Sequence, residues 1–572
     1  MSVVSDLHRR FGKGKVIFKG LLLLCSTVLV LYTIVGNQSC KNVDKVSDTL
    51  VFRYNEDQSV STLDPAFVKS QSELWVCSQI YNSLVDLDSN LQPVPMLASS
   101  WEISENGLVY KFHLRTDVQF HRQGKVGFEQ SRWVTASDVV YSFRRITDPN
   151  TAAACAWIFA DKINLASIRF LQKTSSASEP FYAQNDSTFI LTLSKPYSAM
   201  LSLLGTAWCS VIPHEFGENK NVFGRNPVGT GPFYMKYWEE DVKMVLRKNP
   251  DYFETVNGKK LPFLEAVNID FLKNKQTAFM RFVAGEYDFF NGVEGSFKDE
   301  LLTKQGQIRQ KYRHKFKYII KPFLNTEYLG IWIDKNNPGS NPQLANPYLR
   351  IALNYAIPRE ELVRNFRNNL GIPGTGSFLP FEFTDNNNAG FNYAPDSARK
   401  YLKLAGYPYG RGCNPIKITT TADYLDMIVY IQKYWEDIGI KSEIDIQTGG
   451  MIRQLRNNGK LAIWRGSWIA DYADAENYLT CFYSGNFSPG GPNYTHFKNA
   501  DYDLEYEKML METDAKRRME RIKKCENILK KEAPVIVLFY DKSIRLYQNN
   551  VHHFHNDATN RLILKYVQKS KI

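Results

Sequence analysis

The spacing of apolar and polar residues predicts strands and helices that alternate along most of the chain. "DTLVFRYNEDQSVSTLDP" reads as a strand followed by a loop that closes at Pro65. "SELWVCSQIYNSLVDLD" predicts a helix running into a short strand. "LVYKFHLRTDVQFH" alternates apolar and polar side chains, the period of a half-buried strand. "TASDVVYSFRRITDP" predicts an amphipathic helix capped by Thr135 or Ser137 and stopped before Pro149. "TFILTLSKPY" is a further strand, and "PVGTGPFYMKYW" a Gly-Pro turn feeding another. "LRIALNYAIPREELVRNF" is helical with a kink or break at Pro358, and "SARKYLKLAGYP" is a helix that Gly406 ends. "LDMIVYIQKYWEDIGIKSEIDIQ" is a helix and then a strand. "APVIVLFY" is a short apolar strand of the kind buried inside a sheet. Strands and helices mixed throughout argue for α/β domains.

The length of 572 residues exceeds what one hydrophobic core sustains, so two or three domains are expected. Hydrophobic residues at 44% and charged residues at 23% are ordinary for a globular protein, but aromatics reach 13%, with 32 Tyr and 35 Phe. Tyr suits wet binding surfaces, and larger aromatic cores account for the excess equally well. The net charge is +12. Five basic residues against Asp6 give the first 39 residues a net +4, so a chain starting at Cys40 carries +8, spread without a basic stripe. With no zinc spacing and no basic heptad helix, nothing beyond pI argues for nucleic acid.

The start of the chain has the order of a secretory leader: "HRRFGKGKVIFKG" is basic, Leu21 to Val35 is apolar, and "GNQSC" follows. Residues 1–39 are assigned to this leader. Cys40 after Ser39 is similar to a bacterial lipoprotein site, where the Cys becomes the lipidated first residue, although Asn37 and Gln38 depart from that motif. Plain cleavage or an uncleaved anchor are the alternatives. Each places the body of the chain outside the cytoplasm, tethered to the membrane by a lipid or an anchor or released from it. Six Cys remain beyond Cys25 and Cys40; scattered and without a C-x-x-C pair, they are expected as buried free thiols.

Eleven phrases in order carry a resemblance: "STLDP", "YNSLVDLD", "PMLASSWEISENGLVYKFHLRTDVQFH", "TASDVVYSFRRITDP", "NPVGTGPFYMKYW", "RKNPDYF", "AGEYDFF", "LRIALNYAIPREELV", "YLKLAGYP", "WEDIGI" and "ADYADAENYL". From about residue 48 to 545 the chain resembles the extracytoplasmic solute-binding proteins of peptide ABC transporters, the oligopeptide- and dipeptide-binding family. The resemblance implies a two-lobed α/β periplasmic-binding-protein fold with a hinge and an additional domain on the first lobe. Lobe I would take 48–71, 200–322 and 540–572, the extra domain 72–199, and lobe II 323–539. Peptide would bind between the lobes, for delivery to membrane permease and ATPase subunits on separate chains. Neither a cofactor nor nucleic acid is expected.

The resemblance also implies site residues. Asp471 in "ADY" would take the ligand's α-amino group, and Arg465, six residues earlier, would help to neutralise its carboxylate. Trp468 and Tyr472 would form walls. By residues alone, Asp471 reads equally as a loop cap and Arg465 as a surface cation. The family's Glu five residues before the Asp of "LDP" is Ser59 here, its ligand-touching Tyr is Cys155 with Trp157 nearby, and a Lys after the "RE" helix corresponds to Arg367. These departures leave open another solute of the same fold: a modified or cell-wall peptide, a nickel complex, haem or an oligosaccharide. A hydrolase using Asp474 and Glu476 is the other class considered, disfavoured because neighbours in one loop rarely oppose each other across a substrate. His553 and His555 of "HHFH" would share a strand face but lack a third metal ligand nearby. "LPFEFTDNNNAGFNY" is expected as a mobile loop.

Overall fold

A computed structural model describes residues 50–571 apart from 123–130, 171, 173, 216–222, 294–296, 337–340, 385–389 and 556–557. The expected leader, Cys40 and part of the "LPFEFTDNNNAGFNY" loop lie outside the described residues. Strand β1 (Val51–Glu56) leads to helix α1 (Gln71–Ile80). Ser70 and Glu73 form a capping box at its start: Glu73 N–H donates to Ser70 Oγ at 3.2 Å, and Ser70 N–H to Glu73 Oε2 at 3.1 Å. Next come β2 (Ala98–Ile103), β3 (Val109–Leu114), α2 (Ala136–Thr147), β4 (Phe181–Asn185) and β5 (Thr188–Thr192). These strands form a separate sheet in the order β2-β3-β5-β4. Phe143 of α2 packs edge-on against Phe181 and Phe189 of that sheet, 5.8 and 5.6 Å between ring centres.

The chain continues through β6 (Phe233–Glu239), β7 (Lys243–Lys248), β8 (Ala266–Phe271), β9 (Phe289–Asn291) and a 16-residue strand, β10 (Phe316–Ile331). Helices α3 (Pro347–Tyr355) and α4 (Arg359–Arg367) are separated at Pro358, because proline cannot donate the helical hydrogen bond there. Then follow β11 (Gly371–Pro373), β12 (Ile416–Thr420), α5 (Leu425–Glu436), β13 (Ser442–Ile446), β14 (Ile463–Ile469) and β15 (Val535–Gln548). Together with β1 these ten strands form one eleven-stranded sheet in the order β13-β12-β14-β10-β15-β9-β1-β8-β7-β6, with β11 on β15 off that path.

"APVIVLFY" therefore opens a 14-residue strand rather than a short one. β15 and β10 pair antiparallel twice: Phe316–Pro322 with Lys542–Gln548, and Thr326–Gly330 with Val535–Tyr540. The register shifts between Pro322 and Thr326. One side of the shift has its own core, with Leu329, Ile418, Ile431, Trp435, Ile463 and Ile536. On the other side Phe52, Tyr54, Leu246, Val267 and Phe289 form a second. The architecture is that of a two-lobed periplasmic binding protein, and β10 and β15 are continuous across both halves of the sheet.

Several of the recurring phrases are explained by packing. Asp64 of "STLDP" is fully buried and takes a two-pronged ion pair from Arg145 of "YSFRRITDP", with Arg145 Nη1 at 2.8 Å from Asp64 Oδ1. Arg144 pairs through Nη2 alone with the buried Glu179, and its Nη1 donates to Gln172 O at 2.8 Å. In "PVGTGP", a Cβ on Gly229 would lie 2.1 Å from the Ile80 carbonyl and one on Gly231 2.5 Å from that of Gln79. Only glycine lets this turn reach the end of α1, where Gly231 N–H donates to Ile80 O at 2.8 Å. All six Cys among the described residues are free, five of them buried.

Breaking a buried ion pair by removing one partner costs roughly 3–5 kcal/mol. Asp64→Ala is therefore expected to lower the unfolding free energy from denaturant titration by an amount in that range; a change below about 1 kcal/mol would show that the Arg145 pair does not hold these two segments together.

Candidate functional site

β14 pairs antiparallel with β10 along its whole length, from Asn325–Ile469 to Ile331–Ile463. Its other edge meets β12 only at Ile463 and Trp464. From Arg465 to Ile469 that edge has no strand partner among the described residues. Ala470 N–H donates to Leu324 O at 2.9 Å, and the chain then turns. The side-chain carbonyl of Asn477 accepts from Trp468 Nε1 at 3.0 Å and from the Asp471 N–H at 3.3 Å, which fixes the turn.

This turn borders a cavity of about 350 Å³. Ile469, Ala470, Asp471 and Tyr472 form one wall; Leu74, Trp75 and Ser78 of α1, Trp208 and the segment around Arg561 form others. Asp471 is exposed and lines this space, and protein surrounds it at longer range. Burial raises its carboxyl from 3.8 to about 6, against the opposing pull of the Asn477 side-chain amide on the carboxylate. No ion pair to Asp471 exists among the described residues. A carboxylate of this kind favours an incoming cation.

Tyr472 stacks on Trp157 (6.1 Å between ring centres, 24° apart), and Trp157 meets Trp208 edge-on at 5.9 Å. The Tyr472 ring belongs to the core built on the small β2–β5 sheet. Its hydroxyl donates to Glu476, as do those of Tyr506 and Tyr197, the last at 2.6 Å. Burial, then the nearby Glu476 charge, raises all three phenols well above their ordinary value and keeps them as donors. Tyr197 follows β5 and Glu476 follows β14, so this carboxylate ties the small-sheet unit to the large sheet. Asp474 pairs with Arg518 at 2.6 Å and accepts from the Glu476 N–H at 2.8 Å. Neither Asp474 nor Glu476 is among the cavity walls, so the two do not face a common substrate space.

The remaining expected site residues lie elsewhere. Arg465 pairs with Glu327 and stands over the Tyr424 ring, 3.4 Å from its centre. Arg367 pairs with Asp541 at 2.6 Å. Asn325 links the two pairs, donating to Glu327 at 3.1 Å and to Asp541 at 3.4 Å. Burial raises the Glu327 carboxyl, opposed by Arg465. The structure thus brings Arg465 and Arg367 together, at the register shift between β10 and β15 and outside the cavity walls. Trp468 supports the turn rather than lining the cavity. Ser59 is exposed and is not a wall residue. Cys155 is buried at 3.7 Å from Ala66 O, its thiol raised to about 12 by burial. His553 and His555 do not share a strand face: that strand ends at His552, and His553 has φ +55°. Among the described residues one cluster has metal-ligand spacing, Asp138, His214 and Glu215, but the Arg132 guanidinium lies within 3.0 Å of all three and fills the place of a cation.

Sequence reasoning missed Lys69, Tyr197, Trp208 and the 559–565 segment as parts of this region. They come from distant parts of the chain and carry no local motif.

Residues 92–490 match the family model described as bacterial extracellular solute-binding proteins, family 5. The chain is 26% identical over 513 residues to the probable deoxycholate-binding periplasmic protein of Escherichia coli K12, covering 87% of this chain and 89% of that one. It is 25% identical over 542 residues to heme-binding protein A of Haemophilus influenzae, covering 91% and 93%. The structure of a periplasmic binding protein from Helicobacter pylori, in complex with the peptide STSA, superposes with a TM-score of 0.72 at 25% identity, covering 91% of this chain and 98% of that one. No helix among the described residues is long and apolar enough to cross a membrane.

A carboxyl raised to about 6 in the fold, against 3.8 ordinarily, destabilises the unliganded protein as pH rises through 6, and that cost is absent below about 4. Asp471→Asn is expected to unfold at a higher temperature than the unaltered protein above pH 6, with the gap closing towards pH 4. Melting curves that stay parallel across this range would contradict an unpaired, desolvated Asp471.

Proposed function

The chain belongs to the family 5 bacterial extracellular solute-binding proteins, and we propose that its solute is an oligopeptide, bound outside the cytoplasm and handed to an ABC permease with its ATPase on separate chains. The observation that carries this reading is Asp471: a carboxylate without an ion-pair partner among the described residues, in a cavity wall, at the end of a strand with an open edge. A peptide offers the complement of both features. Its α-ammonium supplies the cation, and its first backbone N–H and C=O groups pair with the open edge of β14 at Ile469, where that edge borders the cavity. Such pairing is blind to side chains, which a general peptide receptor requires. Tyr472, Trp75 and Trp208 give aromatic surface for side chains.

The relatives named for deoxycholate and heme leave other solutes to be weighed. Both of those molecules carry carboxylates, and Asp471 would repel them in its ionised form. The H. pylori relative holds a peptide. The protein acts by binding, without catalysing a reaction. Lobe I is assigned to 48–71, 200–322 and 540–572, its extra domain to 72–199 and lobe II to 323–539, with closure about β10 and β15. Cys40 is assigned as the lipidated residue that tethers the protein to the membrane.

A charge-assisted hydrogen bond in a closed site contributes roughly 1.5–3 kcal/mol. Asp471→Ala is expected to weaken binding of a peptide with a free amino group on the order of 10- to 150-fold in calorimetry, while N-acetylation of that peptide weakens binding to the unaltered protein to a similar degree. Equal affinity of both proteins for the free peptide would remove Asp471 as the anchor.

A further inference from the structure

Five charged residues stand in the walls of the cavity beside Asp471: Lys69, Asp86, Asp471, Arg561 and Lys565. Three are held within the protein. Arg561 pairs with Asp86 at 2.6 Å and donates to Leu87 O at 2.9 Å. Lys565 pairs with Glu254 at 2.6 Å and approaches Asp86 at 3.7 Å. The other two, Lys69 and Asp471, have no ion-pair partner among the described residues. One cavity therefore presents one uncompensated cation and one uncompensated anion.

Lys69 is positioned by its backbone. Its N–H donates to Glu73 Oε2 at 2.8 Å, inside the capping network of α1, and the preceding Val68 carbonyl accepts from Trp208 Nε1 at 3.1 Å. Trp208 is itself a wall residue. The main chain at 68–69 is thus fixed against the cavity, and the ammonium extends from it on a flexible stem. Arg465 and Arg367 stand outside these walls and face Glu327 and Asp541.

We infer that Lys69 receives the free α-carboxylate of the ligand, so that the cavity takes short zwitterionic peptides, with the ammonium at Asp471 and the carboxylate at Lys69, in preference to peptides blocked at the C-terminus. This rests on the peptide reading above and adds the end that reading leaves unassigned. A volume of about 350 Å³ suits a short ligand; it lies at the low end of the roughly 300–1,000 Å³ typical of small-molecule sites. A peptide zwitterion pairs with both charges at once, whereas a ligand carrying either end alone leaves one of the two without a partner.

Calorimetry with trialanine and trialanine amide tests this on the full-length protein and on Lys69→Met and Lys69→Arg. The unaltered protein is expected to bind the free acid about tenfold more tightly than the amide, from one charge-assisted contact. Lys69→Met should bind both at the level of the amide, and Lys69→Arg should keep the preference. Equal binding of acid and amide by the unaltered protein, or a preference that survives in Lys69→Met, overturns the assignment of Lys69. In those cases peptide binding that still depends on Asp471 leaves the peptide reading standing. If neither tripeptide binds the unaltered protein, the peptide reading fails and Lys69 falls with it.

Discussion

The backbone pairing of β10 with β15 is the constraint on which the two halves of the molecule depend. Each strand pairs with the other on both sides of a register shift, and each half of the sheet completes its ladder on these two strands. Pro322 stands at the shift and has no N–H to give, so the ladder there tolerates bending at lower cost than an unbroken ladder would. On the strands flanking the shift lie Asn325, Glu327 and Asp541, answered by Arg465 from β14 and Arg367 from α4. Two acids and two guanidiniums balance here. This accounts for why Arg465 is found in an ion pair beside the shift rather than in the cavity.

The site follows from where β14 stops being covered. β12 leaves its edge after Trp464, and seven residues later, just past the end of β14 at Ile469, the chain turns at Asp471. Open backbone groups and an uncompensated carboxylate are both unfavourable in a folded protein unless something else completes them. Here they adjoin, and Ile469 and Asp471 border one cavity. The Tyr197–Glu476 bond and the Trp157–Tyr472 stack hold the small-sheet unit against the same turn. Tyr472, the residue that follows Asp471, is thus one that joins two parts of the protein.

Much of this was legible in the sequence where the physics is local. The break at Pro358, the Thr135 cap before α2 and the alternation in β3 follow from backbone donors and side-chain periods. The long β10 was not predicted. Its first half is only partly buried and contains Pro322, so its residues do not show the alternation that marks a half-buried strand. "WRGSWI" was read for its chemistry and is in fact a strand, because its two tryptophans and glycine answer the demands of neighbours far away in sequence. Gly466 faces the Tyr328 ring, where a Cβ would come within 3.2 Å. Asp64 and the glycines of "GTGP" were singled out as parts of a family pattern, and their roles are a buried ion pair and a close approach to α1. Lys69, Trp208 and Tyr197 could not be found, since only the tertiary fold brings them to Asp471.

The claim at the centre of this account is that the cavity at Asp471 holds a peptide by its charged ends. Native mass spectrometry of the protein as purified from cells measures what it holds. The account predicts mass additions that fragment into short peptides and that vanish in Asp471→Ala. A sugar, a metal complex, heme or a bile acid in place of peptide would contradict it.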